Sequence, residues 1–372
     1  MLTGTLGNHL RDLAPVAARF VDLFAGSGAV SRYVATRATV PVAAVDLMRF
    51  SGIIAAATVE RTTALNAGRL FAAWRRRAID WALEHGELES AALAVSQPES
   101  ADDVEVGRAL CRVSVDGAFI WSHYGGYYFS PAQSLRLSAF YATLPLKAPQ
   151  RTVALAALLR TASRASASPG HTAQPFRPTE RLLPHLRSAW RVDVDTELKR
   201  QLEAIAPSPA LVKGAAVTGD SVVFAQQCVR DGDLVFCDPP YSEAQYSRFY
   251  HVLEGIAIGG WSHVSGAGRA PEGSERPSSD FSRKTRAVAA TDRLITGLAQ
   301  HRTTVLWTYP EGIRSNGLTV DDIRACAEHH FTVSETRIPM RHSTLGGSQL
   351  NHEQRHGRRD LHEVLFRFDP RR

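Results

Sequence analysis

No run of about eighteen apolar residues occurs in the 372-residue chain, so no transmembrane helix is expected. The first twenty residues carry Arg11, Asp12 and Arg19 and lack the apolar core of a secretory signal. Cysteine is scarce. The four present, Cys111, Cys228, Cys237 and Cys326, have no paired spacing. That argues against a disulfide framework or a cysteine-based zinc site, and it suits a reducing, cytoplasmic setting. No internal repeat is visible. An acidic excess is also missing: 43 Lys and Arg face 37 Asp and Glu, a formal net charge of +6. This mild basic balance is compatible with a polyanionic partner without requiring one. What remains is the composition of an ordinary globular protein, long enough for one large core or two smaller ones.

Against that plain background, four consecutive residues stand out. Asp238-Pro239-Pro240-Tyr241 follows the apolar run Leu234-Val235-Phe236-Cys237, which reads as a buried parallel strand. A carboxylate, two prolines and an aromatic ring at a strand's carboxyl end make a rigid, flat, polar-tipped pocket. Such a tip can grip a planar group bearing an NH2, and ligands of open α/β sheets bind at that end of the strands. A Pro-Pro pair with a capping Asp can also be a plain surface turn, but the strand directly before it weighs against that. Far upstream, Phe20-Val21-Asp22-Leu23 reads as a second short strand, followed by Phe24-Ala25-Gly26-Ser27-Gly28. Gly26 and Gly28 permit a tight strand-to-helix turn and close backbone approach to a ligand. A helix over Ala29–Thr36 should follow, then a strand from Val40 to Val45 that ends in Asp46. An acid at that tip is placed to take the hydroxyls of a ribose. Alone, a Gly-x-Gly turn is weak; two such signals in this order, each at a strand end, are far more specific.

The chain resembles the Dam-like family of adenine-specific DNA methyltransferases. Leu6-Gly7-Asn8-His9-Leu10-Arg11 is similar to the family's opening motif, with His9 where Lys is usual. Phe24 to Gly28 matches its glycine motif, and Asp238 to Tyr241 its catalytic motif. Gly219-Asp220, Tyr246 to Glu254 and Tyr127-Tyr128-Phe129-Ser130-Pro131 resemble further family segments. The resemblance implies an α/β fold, a Rossmann-like class I methyltransferase sheet with a mainly helical inserted target-recognition domain. It implies S-adenosylmethionine as cofactor, contacted by Gly7, Asn8, Asp22, Phe24, Gly26, Ser27, Gly28, Asp46, Asp220, Ser221 and Asp238. Asp238, Pro239 and Tyr241 would be catalytic, on an adenine flipped out of double-stranded DNA. Tyr127, Tyr128, Arg136, Arg248 and Arg269 are the residues expected to face DNA. No metal and no membrane are expected. A restriction-modification or phage-defence setting, with a partner nuclease or other defence proteins, is compatible with this reading but not legible in it.

Strand signals cluster near residues 19–47 and again from about 215 onward, at Leu234–Cys237, Thr303–Thr308, Phe331–Ile338 and Glu363–Phe368. The stretch between is rich in Ala, Leu and Arg. Ser51–His85 reads as helix, and Asp116–Leu144 carries an aromatic cluster. The expected division is therefore a catalytic domain from residues 1–50 and 211–372, interrupted by a helical recognition insertion over 51–210. Gly259–Ser282 is Gly/Ser/Pro-rich and suits a flap over DNA or a plain surface loop. His352-Glu353-Gln354-Arg355-His356 formally fits a zinc-protease pattern. Gly346-Gly347 before it and Gly357 after it disfavour the helix which that chemistry needs, so an exposed polar loop is expected. Two alternatives stay open: amino methylation of RNA or another substrate, and a DNA-binding module without activity.

Overall fold

The computed structural model describes residue 2, residues 4–339 and residues 362–371. The segment His352–His356 lies outside the described residues. Contacts divide the chain into two compact units. One combines Met1–Thr62, Pro209–Tyr246 and Pro277–Arg372; the other combines Thr63–Ser208 and Ser247–Arg276.

Among the described residues, the first unit holds one sheet of seven strands: β1 (Arg19–Asp22), β2 (Val42–Asp46), β3 (Ala215–Thr218), β4 (Asp233–Cys237), β5 (Thr304–Pro310), β6 (Phe331–Pro339) and β7 (His362–Pro370). Their order is β3-β2-β1-β4-β5-β7-β6. The first five in that order run parallel, and β7 inserts antiparallel between β5 and β6. This is the Rossmann-like α/β sheet expected from the sequence. Side chains alternate between two cores. Val21, Val45, Val235 and Trp307 face one side; Phe20, Phe236, Leu306 and Leu365 face the other, with Leu6 and Leu10 of the helix Thr5–Leu13. Burial on both faces explains why β4 is apolar from Leu234 to Cys237 rather than alternating. Each fully buried Val, Leu or Phe contributes roughly 1.5–3 kcal/mol.

Strand order reverses between β1 and β4, because the chain leaves β1 toward β2 and returns on the other side as β4. A crevice opens at such a point, outside the strands' carboxyl ends. Asp22 ends β1, and Asp238 follows the last residue of β4.

The expected helix over Ser51–His85 is two helices, Arg49–Val59 and Ala67–Leu83. Asn66 separates them: its side chain accepts the Arg69 N–H at 2.8 Å and so starts the second helix. The first helix packs on β2 and β3 and belongs to the sheet unit, whose boundary falls at Thr62 rather than residue 50. The second unit is mainly helical and also takes in residues 247–276, which lie beyond the expected 51–210 span. Its core includes Trp74, whose indole N–H donates to Phe140 O at 2.9 Å, and the fully buried Trp121, Tyr124 and Phe129.

Candidate active site

β1 ends in a turn that the sequence dictates locally. Gly26 and Gly28 both take left-handed backbone angles, φ +50° and +70°, which cost other L-residues about 1–2 kcal/mol each. The Gly28 N–H donates to Ala25 O at 2.7 Å and closes the turn. Asp46, at the tip of β2, braces it: one carboxylate oxygen accepts the Gly26 N–H at 2.7 Å, the other the Met48 N–H at 2.8 Å. Asp22 is buried beneath. Its carboxylate accepts the Ser31 hydroxyl at 2.6 Å and the Phe24 N–H at 3.4 Å. Burial pushes its carboxyl up to about 7, against those two hydrogen bonds. Asp46 is likewise raised, mainly by burial.

The catalytic-motif loop is held from β5. Thr308 donates its hydroxyl to Asp238 Oδ1 at 3.0 Å. Burial raises Asp238 to about 6. Asn316 is fully buried and donates to both Pro240 O and Phe281 O at 2.9 Å; it accepts the Tyr309 hydroxyl at 3.0 Å. The Phe281 ring meets Phe24 edge-on, centroids 5.2 Å apart. A chain of contacts thus runs from the catalytic loop to the glycine turn.

Asp22, Phe24, Gly26, Ser27 and Asp238 line one cavity of about 360 Å³, together with Leu2, Phe236 and the start of the helix Ala29–Ala35. That volume falls within the range of about 300–1,000 Å³ typical of small-molecule sites. Two acids from neighbouring strands, an aromatic ring and an open glycine turn suit a ligand that is part cationic and part flat.

Several expected residues sit elsewhere. Gly7 is buried in its helix, where an added Cβ would fall 1.9 Å from Leu2 O; it lets the Leu2 backbone pass close by, and Leu2 reaches the cavity lining. Asn8 is exposed and accepts from Arg11. Asp220 caps the helix Ser221–Cys228, its Oδ1 accepting the Val222 and Val223 N–H groups at 2.9 and 3.1 Å, and Ser221 is buried. The neighbouring Gly219 N–H donates to Asp46 O, so this turn adjoins the tip of β2.

Three of the five residues expected at DNA make contacts within the helical unit, among them Arg269, whose guanidinium donates to His123 O at 2.7 Å and Ser122 O at 3.2 Å. Tyr128 is fully buried and its hydroxyl donates to Thr172 O and Gly268 O at 2.6 and 2.8 Å. Arg136 forks onto both oxygens of Asp195 at 2.6 and 2.8 Å and covers the Phe140 ring. Tyr127 is partly exposed between the guanidinium groups of Arg108 and Arg269, 4.4 and 5.1 Å from its ring centre, and Arg248 is exposed.

The sequence reading missed Thr308, Asn316 and Glu363. Glu363 is buried, with Oε2 unpartnered and the carboxyl pushed by burial to about 7; the Asp238 charge adds to that shift. Thr308 is an ordinary strand residue, Glu363 stands second in β7 after His362, and Asn316 lies in a loop, so no sequence pattern singled them out.

Comparison with known proteins agrees with this geometry. Residues 210–308 match the family model described as D12 class N6 adenine-specific DNA methyltransferase. The matched segment contains β3, β4, the Asp238–Tyr241 loop and most of β5. No curated protein matches the chain. Sheet order, site and matched segment define a class I methyltransferase. The match supports an adenine-specific DNA methyltransferase, in line with the Dam-like resemblance of the chain's motifs.

Proposed function

We propose that the protein transfers a methyl group from S-adenosylmethionine to the 6-amino group of an adenine swung out of duplex DNA. The observation that carries this reading is the shared cavity of Asp238 and the Gly26–Gly28 turn. When bound, S-adenosylmethionine supplies an electrophilic methyl on a cationic sulfonium.

Phe24, Gly26 and Ser27 shape the cavity's donor side, with the Asp22 carboxyl at its base. Asp46 and Asp220 stand at neighbouring strand tips, where a ribose and an adenine amino group would be read; Asp46 also accepts from the Ser51 side chain, and the acceptor capacity left beyond these contacts would serve that purpose. On the acceptor side, the adenine nitrogen is a poor nucleophile because its lone pair is delocalised into the ring. Asp238 accepts one amino hydrogen, and the Pro239 carbonyl accepts the other. These bonds favour a pyramidal nitrogen and stabilise the positive charge that develops on it. Thr308 holds Asp238 Oδ1, so the carboxylate is oriented before the base arrives. Tyr241 stacks on the base face. A base inside the duplex cannot reach this site, and extruding it costs a few kcal/mol.

The helical unit serves as the target-recognition module, with Tyr127, Arg248 and Arg269 among its DNA-facing residues. Incubation with tritiated S-adenosylmethionine and duplex DNA, RNA or protein tests the reading. Label is expected in DNA adenine. Label in RNA or protein alone would overturn it. Sequencing the DNA of expressing cells for modified adenine would reveal the recognised sequence.

A further inference from the structure

The loop Glu311–Gly317 leaves β5 at the same edge of the sheet as the catalytic loop, because β4 and β5 run parallel. It is fastened there at several points. Asn316 binds Pro240 O, and Ser315 Oγ accepts the Glu243 N–H at 3.0 Å. Arg314 donates to Pro310 O and Glu311 O within its own loop, and its guanidinium lies 6.0 Å from the Tyr241 ring centre. At the tip, after Gly312 at φ +84°, stands Ile313, 93 % exposed. That is the highest exposure of any large apolar side chain among the described residues.

Single exposed apolar residues are common and usually call for no explanation. Here the mount makes the difference. On a loose loop such a side chain could fold back onto apolar surface. Ser315 and Asn316 fasten the loop two and three residues beyond Ile313, and Arg314, the residue next to it, lies near the ring that would receive the base.

We propose that Ile313 is the wedge that enters the duplex and fills the space vacated by the target base. Apolar side chains inserted between base steps act in this way, and Ile is among those used. The wedge rests on the base-flipping reading above: it lowers the cost of extrusion, while Asp238 and Tyr241 handle the base once it is out. The loop that carries it is bound to the catalytic loop, so insertion and capture are mechanically one event.

The test uses the full-length enzyme and two target duplexes: one with 2-aminopurine at the target position, which lacks the 6-amino group and reports unstacking by a rise in fluorescence, and an otherwise identical one with adenine there, on which methylation is measured. Parent enzyme is expected to raise the signal. Ile313→Ala should lower both that rise and the methylation rate on matched duplex, the rate by about tenfold or more, as for loss of part of a flipping term. A mismatched or absent partner base opposite the target should return its rate to near the parent value, and Ile313→Leu should behave as the parent throughout. Equal fluorescence and equal rates for Ile313→Ala and parent on matched duplex would overturn the wedge alone. Methylation by the parent with no fluorescence rise would overturn base flipping and the wedge with it.

Discussion

Each acid of the site is distinguished by what already holds it. Asp238 has one oxygen on Thr308 and faces the cavity, so removing it deletes an oriented acceptor and leaves the donor side intact. Asp238→Ala should reduce methyl transfer by about a hundredfold or more, as for loss of one preorganised polar group, with cofactor binding still measurable by calorimetry. Turnover equal to the parent would remove Asp238 from the mechanism. Asp46 braces the Gly26 N–H, and on the proposed reading it also takes the cofactor's ribose. Asp46→Ala should weaken cofactor binding by about 1.5–3 kcal/mol, the usual worth of a hydrogen bond to a charged group. An unchanged dissociation constant would contradict the assignment. These residues were legible because a charged residue at the end of an apolar run is unusual on its own. Thr308 and Asn316 were not, since a Thr in a strand and an Asn after it are ordinary until the partner loop is known.

At the scale of elements, the site depends on short segments with little freedom. The helix Thr5–Leu13 lies on the apolar face formed by Phe20, Phe236 and Leu365, and Gly7 is where the Leu2 backbone crosses it. Gly7→Ala places a methyl against Leu2 O and must displace that segment from the cavity lining. The expected result is weaker cofactor binding with a melting temperature within a few degrees of the parent, as for a change confined to a terminal segment. Unchanged cofactor affinity would show that Leu2 is not part of the site. Element types were readable from periodicity for β1, β2, β4 and β5, because strands buried on both faces leave unbroken apolar runs. β3 escaped notice: it is four residues long, lies at the sheet edge and is only partly buried. The break between the helices Arg49–Val59 and Ala67–Leu83 was also missed, because composition stays helix-favouring across it and Asn66 alone marks the cap.

For the molecule as a whole, Asp22, Asp238 and Glu363 give stability and activity opposite responses to pH. All three are raised by burial, to about 7, 6 and 7. The fold therefore favours their protonated forms. Their contribution to stability is complete below the unfolded carboxyl range and is lost as pH rises through about 6 to 7. Ligand-free protein should accordingly melt higher at about pH 5.5 than at about pH 8, and Asp22→Asn should reduce the difference. A melting temperature that rises with pH over that interval would refute it. Methyl transfer should move the other way, falling below about pH 6 as Asp238 takes up a proton and ceases to be a full acceptor. A rate constant flat from pH 8 to about pH 5 would exclude that ionisation from the reaction.

The order of motifs along the chain determined the class of sheet, its two ligand-facing turns and the chemistry they suit. Glycine, proline and carboxylate at strand ends act through local backbone geometry, and local geometry is written in adjacent residues. Which strands become neighbours, and hence that Asp22 and Asp238 share one cavity, was decided only when β1 and β4 paired across more than two hundred residues. So was the mounting of the catalytic loop on Asn316, and the withdrawal of Tyr128 and Arg136 into structural work. A hydrogen bond between distant segments leaves no periodicity in either, and only the packed chain brings donor and acceptor into range.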